Sequence, residues 1–198
     1  MDAPQCRERD GVLPLADQSR SRAGQPARDL SQVAPIIVTA LFGRSDAAWF
    51  DDLRTRHFPP ERNQLSAHLT MFHHLAPSLE RELKQRLAGE TRQVAAPDAR
   101  IAGVMSLGGG VAFRIDCPSL EDIRDRLADA FAPVLTPQDR APWRPHVTVQ
   151  NKVDPPVAKA LQAELSRDFR PRPVRIAGLA AWWYRGGPWE MLSRHMFA

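Results

Sequence analysis

From residue 34 onward the chain alternates short apolar runs with amphipathic stretches, and their periods separate strand from helix. Residues 35–42, PIIVTALF, form a continuous apolar run rich in β-branched residues, the pattern of a buried strand. A helix is predicted from Asp46, with Trp49, Phe50, Leu53 and His57 on one face and Pro59-Pro60 as its stop. A strand follows around AHLTMF. Ser78 is then placed to cap a helix carrying Leu79, Leu83 and Leu87 at i, i+4 and i+8, with Gly89 at its end. ARIAGVMSL reads as the next strand.

The same order then recurs. GVAFRID is a strand, and Ser119 with Asp122 gives a capping-box-like start to a helix. That helix turns Leu120, Ile123, Leu127, Phe131 and Val134 inward. A Pro/Arg-rich loop, TPQDRAPWRP, leads to the strand HVTVQNKV. Asp154 and Pro155 open a helix presenting Val157, Leu161 and Leu165, and VRIAGLAAWWYR with PWEMLSRHMF makes a hairpin around Gly186-Gly187. Each half thus reads strand, helix, strand, helix, strand. The offsets agree, with 33 residues from Pro35 to His68 and 35 from Val111 to His146. Such self-similarity implies an α+β, bilobal fold. Its two pseudo-twofold-related lobes, about 34–108 and 109–198, are each an antiparallel-rich sheet with helices on one face. A cleft lies between them, with room for strand exchange, and small-ligand sites favour such junctions.

Residues 1–33 lack this periodicity. They are expected to be a disordered tail, since they cannot bury enough apolar surface to offset their ordering entropy. Five arginines there are balanced by five acidic residues, which weakens a role as an RNA-binding arm.

Composition narrows the class without fixing it. The chain has 198 residues, 43% hydrophobic and 25% charged, as a globular protein does, and a formal net charge of +4 that suits a phosphate-bearing partner. Its two cysteines, Cys6 and Cys117, make no disulfide framework and no C-x-x-C pair. The start, MDAPQCRERDG, has no apolar signal core, and the longest apolar run is about half a membrane span. A cytoplasmic protein without membrane attachment is expected; the sequence leaves its oligomeric state open.

The candidate chemistry lies in the repeated strand. Residues i and i+2 of a strand share a face, so His68 projects with Thr70 while Leu69 and Met71 point into the core; His146 and Thr148 do the same over Val147 and Val149. Two imidazoles and two hydroxyls would meet in one space. Breaking a phosphodiester requires a base for the attacking oxygen and an acid for the leaving one, and histidine serves as either near neutral pH. Threonine hydroxyls can donate to the non-bridging oxygens as charge builds there. Arg144 could add a bidentate phosphate contact and Lys152 flanks the second motif. Trp143, Trp182, Trp183 and Tyr184 could stack on a base, although packing within the core and hairpin is the plainer role for Trp182 and Trp183.

AHLTMF and PHVTVQ resemble the paired signature of the two-histidine phosphoesterase superfamily, in its 2′-5′ RNA ligase-like and cyclic phosphodiesterase branch. The resemblance covers residues 34–198, and GVMSLGGGVAFRID is similar to that family's mid-chain strand pair. FHHLAP departs from the FLG-like continuation common after the first motif in the ligase-named members. The resemblance implies a bilobal α+β fold and a metal-free site without cofactors. It further implies action on 2′,3′-cyclic phosphates, 2′-5′ linkages or related cyclic phosphodiesters, with RNA ends or small nucleotides as substrates. By motif position it makes His68 and His146 the acid–base pair and Thr70 and Thr148 the phosphate binders.

Two rival classes remain. One is an RNA- or nucleotide-binding module without turnover. The other is a metal hydrolase using His68, His73 and His74, for which neither cysteine nor a nearby carboxylate completes a ligand set; His73 and His74 are expected in a loop or surface role. LGGGVAF lacks the G-K-[ST] ending of a phosphate-cradling loop and reads as a hairpin turn.

Overall fold

The computed structural model describes residues 34–198, so the expected N-terminal tail lies outside the described residues. Seven strands form an antiparallel sheet system: β1 (Ile36–Phe42), β2 (Leu69–Leu75), β3 (Asp98–Ser106), β4 (Val111–Asp116), β5 (His146–Gln150), β6 (Arg172–Trp183) and β7 (Glu190–Met196). Four helices of twelve to fourteen residues, α1 (Arg44–His57), α2 (Glu80–Thr91), α3 (Pro118–Phe131) and α5 (Pro155–Arg167), are joined by the single-turn α4 (Pro137–Arg140). The architecture is the α+β one expected.

The strand order is β2-β1-β6-β3-β4-β5, with β7 also on β6, and every pairing is antiparallel. β6 joins the two halves. Its first residues, Arg172 to Arg175, pair with β3, whereas Ile176 to Trp183 pair with β1 and Gly178 to Trp183 with β7. So β3, from the first half of the chain, lies with β4 and β5, while β6 and β7 complete the sheet of β1 and β2. The motif strands β2 and β5 end up as the two outermost strands of this path. One hydrophobic core runs through both halves, from Ile36, Phe50 and Phe72 to Phe131, Val147 and Leu179.

Several local details depart from the sequence reading. α1 begins at Arg44, and Asp46 is a buried anchor instead of a start signal: its carboxylate accepts from Arg172 Nη1 and the Arg175 backbone N–H, both at 2.9 Å. Ser78 lies in a 3₁₀ turn (Pro77–Leu79), so α2 starts at Glu80 with no side-chain cap. Gly89 sits inside α2, which runs on to Thr91, and Gln93 takes the left-handed position beyond the helix with φ of 58°. Neither Ser119 nor Asp122 caps α3, because Cys117 is the N-cap and Pro118 occupies the first turn. Val134 and Val157 are exposed: the first has left α3 for a 3₁₀ turn, and the second sits at the outer start of α5.

Candidate active site

His68 immediately precedes β2 and His146 is the first residue of β5, so each imidazole sits where the chain enters an outer strand. Burial follows the expected alternation: Leu69, Met71, Val147 and Val149 are buried, and Thr70 and Thr148 face the cleft. His68, Thr70, His146, Thr148 and Arg144 all line one cavity of about 640 Å³. The five residues singled out from the sequence are therefore brought together.

The two imidazoles are held in the same way. His68 Nδ1 lies 2.8 Å from the carbonyl of Ser66, and His146 Nδ1 lies 2.6 Å from the carbonyl of Arg144, two residues back in each case. A carbonyl oxygen can only accept, so both Nδ1 atoms carry the hydrogen and each Nε2 is left to gain or lose a proton. Each half also grips the other's motif. Arg54 Nη1, on α1, donates to the main-chain carbonyl of Thr148, and Trp143 Nε1, before β5, donates to that of Thr70, both at 2.9 Å. These reciprocal bonds register the two threonines against each other across the pseudo-twofold.

The surroundings are electropositive. Arg124, Arg144 and Lys152 line the cavity with the histidines, and Asp139 is the one carboxylate among the lining residues. That carboxylate is fully engaged: it accepts the backbone N–H groups of His73 (2.8 Å) and His74 (2.9 Å) and lies 3.2 Å from His73 Nδ1. Burial alone would push its pKa up, but these bonds from His73 and His74 hold it below the usual carboxylate value. Lys152 is held in the left-handed region, φ 62°, at the turn after β5.

His73 and His74 lie on β2 and are both exposed, a surface placement on a strand instead of a loop. Met71 and Phe72 are both buried because β2 carries one extra residue against β1 near Met71, and this bulge returns His73 to the cavity wall. Among the described residues, no three His, Cys, Asp or Glu side chains are grouped as a metal could use them. Trp143 lines the cavity; Trp182, Trp183 and Tyr184 do not. Trp189 was not singled out by the sequence, yet its ring packs on His68 with centroids 4.6 Å apart. Burial, followed by the nearby Arg54 and His146 charges, pushes the His68 pKa down against the raising effect of the Ser66 carbonyl.

The family model described as the 2′-5′ RNA ligase superfamily matches residues 42–188, a span that contains both H-x-T motifs. The chain belongs to the 2′-5′ RNA ligase superfamily. Solved structures agree on the fold. TT0787 of Thermus thermophilus superposes with a TM-score of 0.56 at 12% identity, covering 82% of this chain and 97% of its own. Escherichia coli LigT complexed with NADP+ gives 0.53 at 17% identity, covering 83% and 98%. A structure described only as a phosphoesterase gives 0.53 at 17%, covering 83% and 99%. No curated protein matches the chain. In this 2′-5′ RNA ligase superfamily member, His68 stands just before β2 and His146 at the start of β5, the two outermost strands of the sheet path. Its described residues include no helix long and apolar enough to cross a membrane.

Proposed function

We propose that this chain is a metal-independent phosphodiesterase acting on 2′,3′-cyclic phosphates or 2′-5′ linkages of RNA or nucleotides, with His68 and His146 as its acid–base pair. The observation that carries this reading is the matched tautomer lock: two imidazoles, each with Nδ1–H spent on a backbone carbonyl, present two titratable Nε2 atoms to one cationic cavity. Thr70 and Thr148 supply hydroxyls for the non-bridging oxygens, and Arg144 and Lys152 supply charge for the phosphate. LigT, crystallised with NADP+, is a structural neighbour that binds a nucleotide.

In this mechanism His68, depressed by burial, is the neutral partner and takes the proton of the attacking water. His146 protonates the departing ribose oxygen, so one ribose hydroxyl is freed and a phosphomonoester remains on the other. Both proton transfers are served by side chains, and no step calls for a metal. The test is turnover against 2′,3′-cyclic nucleotides, 2′-5′ oligonucleotides and cyclic-phosphate-ended RNA, with and without EDTA. Hydrolysis unaffected by the chelator is expected. Binding without turnover of any of them would make the protein a binding module, and activity lost to EDTA and restored by zinc or manganese would overturn the two-histidine mechanism.

A further inference from the structure

The catalytic cavity holds more positive charge than a single cyclic phosphodiester uses. Arg124, Arg144 and Lys152 line it against one carboxylate, Asp139. Arg144 and Lys152 stand just before and just after β5, beside His146. Arg124, on α3, belongs to a separate cluster with Asp139 and His73. It is 6% exposed; its Nη2 donates to the main-chain carbonyl of Asp139, and its guanidinium lies over the Phe72 ring, 4.9 Å from the centroid. Nη1 is 3.8 Å from the exposed Asp125 carboxylate, and Nε makes no hydrogen bond among the described residues. A buried cation met by one carbonyl and one distant carboxylate is left under-compensated on the side of the cavity it lines.

His73 is the third imidazole on the cavity wall. Its Nδ1 lies 3.2 Å from Asp139 Oδ1, and since a carboxylate only accepts, the hydrogen sits on Nδ1 and Nε2 is left for the cavity. This is the lock that holds His68 and His146, with one difference. Their acceptors are carbonyls, whereas that of His73 is a carboxylate, so its imidazolium form makes an ion pair and turns Nε2–H into a charged donor. Asp139 does not repel an anion at this place, because its oxygens already accept the backbone N–H groups of His73 and His74 and the Thr136 hydroxyl. His73 follows Thr70 by three residues of β2, one of them absorbed by the bulge, so the two stand no more than about 10 Å apart along the strand. One ribose, between its 3′- and 5′-oxygens, fills such a step. The imidazole falls in FHHLAP, where the chain departs from the FLG-like continuation, so the shared motif does not account for it.

We infer that His73, oriented by Asp139 and backed by Arg124, binds a second phosphate: the one on the 5′-oxygen of a nucleotide whose 2′,3′-cyclic phosphate lies between His68 and His146. The inference rests on the phosphodiesterase reading above and narrows its substrate class to nucleotides that carry phosphate on both sides of the ribose. A phosphomonoester brings a charge of about −1.5 to −2 near neutral pH, which meets both Arg124 and the His73 imidazolium. A 5′-hydroxyl in the same place would leave both without a counter-charge. At about 640 Å³ the cavity has the size of sites that enclose a whole small ligand, roughly 300–1,000 Å³.

The experiment compares adenosine 2′,3′-cyclic monophosphate with the same nucleotide phosphorylated on its 5′-oxygen. On the unsubstituted chain KM is expected to be lower for the 5′-phosphorylated compound by about tenfold or more, the worth of one charge-assisted hydrogen bond. His73→Ala should shrink that gap to about threefold or less, with Arg124 still in place. His73→Arg, which keeps a cation at the same point of β2, should restore it. Equal KM values on the unsubstituted chain, a result that needs no variant to fold, would overturn the site. So would a gap that survives His73→Ala whole, or one lost equally in His73→Arg. If the unsubstituted chain turns over neither compound, the phosphodiesterase reading falls and titration calorimetry decides the site instead. Adenosine 3′,5′-bisphosphate should then bind about tenfold tighter than adenosine 3′-monophosphate, and equal affinities would overturn the second phosphate site.

Discussion

At the scale of single residues, the proposed mechanism reduces to two Nε2 atoms whose protonation must differ. His68→Ala and His146→Ala are each expected to lower kcat by about 10²–10⁴, the usual worth of one positioned acid or base. The double variant should lose less than the product, because the pair works as a unit. Thr70→Ala and Thr148→Ala should cost about 10²–10³ at most. The pH profile follows from the direction of the His68 shift. As the base of the proposed mechanism His68 must be neutral, so kcat/KM is expected to fall as pH drops through its depressed pKa. The acidic limb should therefore lie below about 6.5, the ordinary imidazole value. Trp189→Ala would open the ring to water and move that limb up towards 6.5. A limb that stays in place in this variant would show that the indole does not set the shift. His68, His146 and the two threonines were legible in the sequence because a strand's two-residue period puts i and i+2 on one face. Trp189 was not, since a hairpin residue 121 positions beyond His68 meets it only after β6 and β7 have paired with β1.

At the scale of elements, the single turn α4 bears on β2 through Asp139, which is buried and ties the two together by the backbone N–H groups of His73 and His74. In Asp139→Asn one acceptor oxygen becomes a donor facing another donor, whichever way the amide turns. A loss of about 1.5–3 kcal/mol is expected, the range for hydrogen bonds to a charged group, read from urea unfolding at pH 7. Because the folded-state pKa is lowered, the carboxylate's contribution is complete above the unfolded value near 3.9. It is lost as pH falls through the lowered folded value. The gap between the unsubstituted chain and the variant should accordingly close in strong acid; a gap that stays constant down to that range would show that the carboxylate's charge is not what matters. The elements themselves were largely readable from apolar periodicity, whereas their ends were not. Ser78 and Ser119 carry capping side chains one or two residues away from the N-cap positions. The bulge in β2 that turns His73 into the cavity leaves no mark in a run, LTMFHHL, that reads as simple alternation up to Met71.

At the scale of the molecule, the repeat that was visible in the spacing of the two motifs became two halves around one core among the described residues, and the sequence of residues 1–33 lacks the apolar periodicity of a core segment. Removing residues 1–33 is therefore expected to leave the melting temperature and the turnover of small substrates nearly unchanged. A large fall in either would assign those residues to the core or the site. The sequence left room for strand exchange, and what spacing could not convey is which strands the halves trade, because pairing partners are chosen by the whole sheet. β6 spends its first four residues on β3 and the remainder on β1 and β7. A gene cut between codons 108 and 109 would thus yield one fragment whose last strand has lost both its neighbours and another whose longest strand has lost the two it was built to bridge. Neither should fold alone. Expressed together they should find each other, since each holds the missing edge of the other's sheet, and catalysis would return only with assembly because each fragment carries one of the two histidines. The protein would then behave as a split enzyme, its activity reporting whether two polypeptides have met.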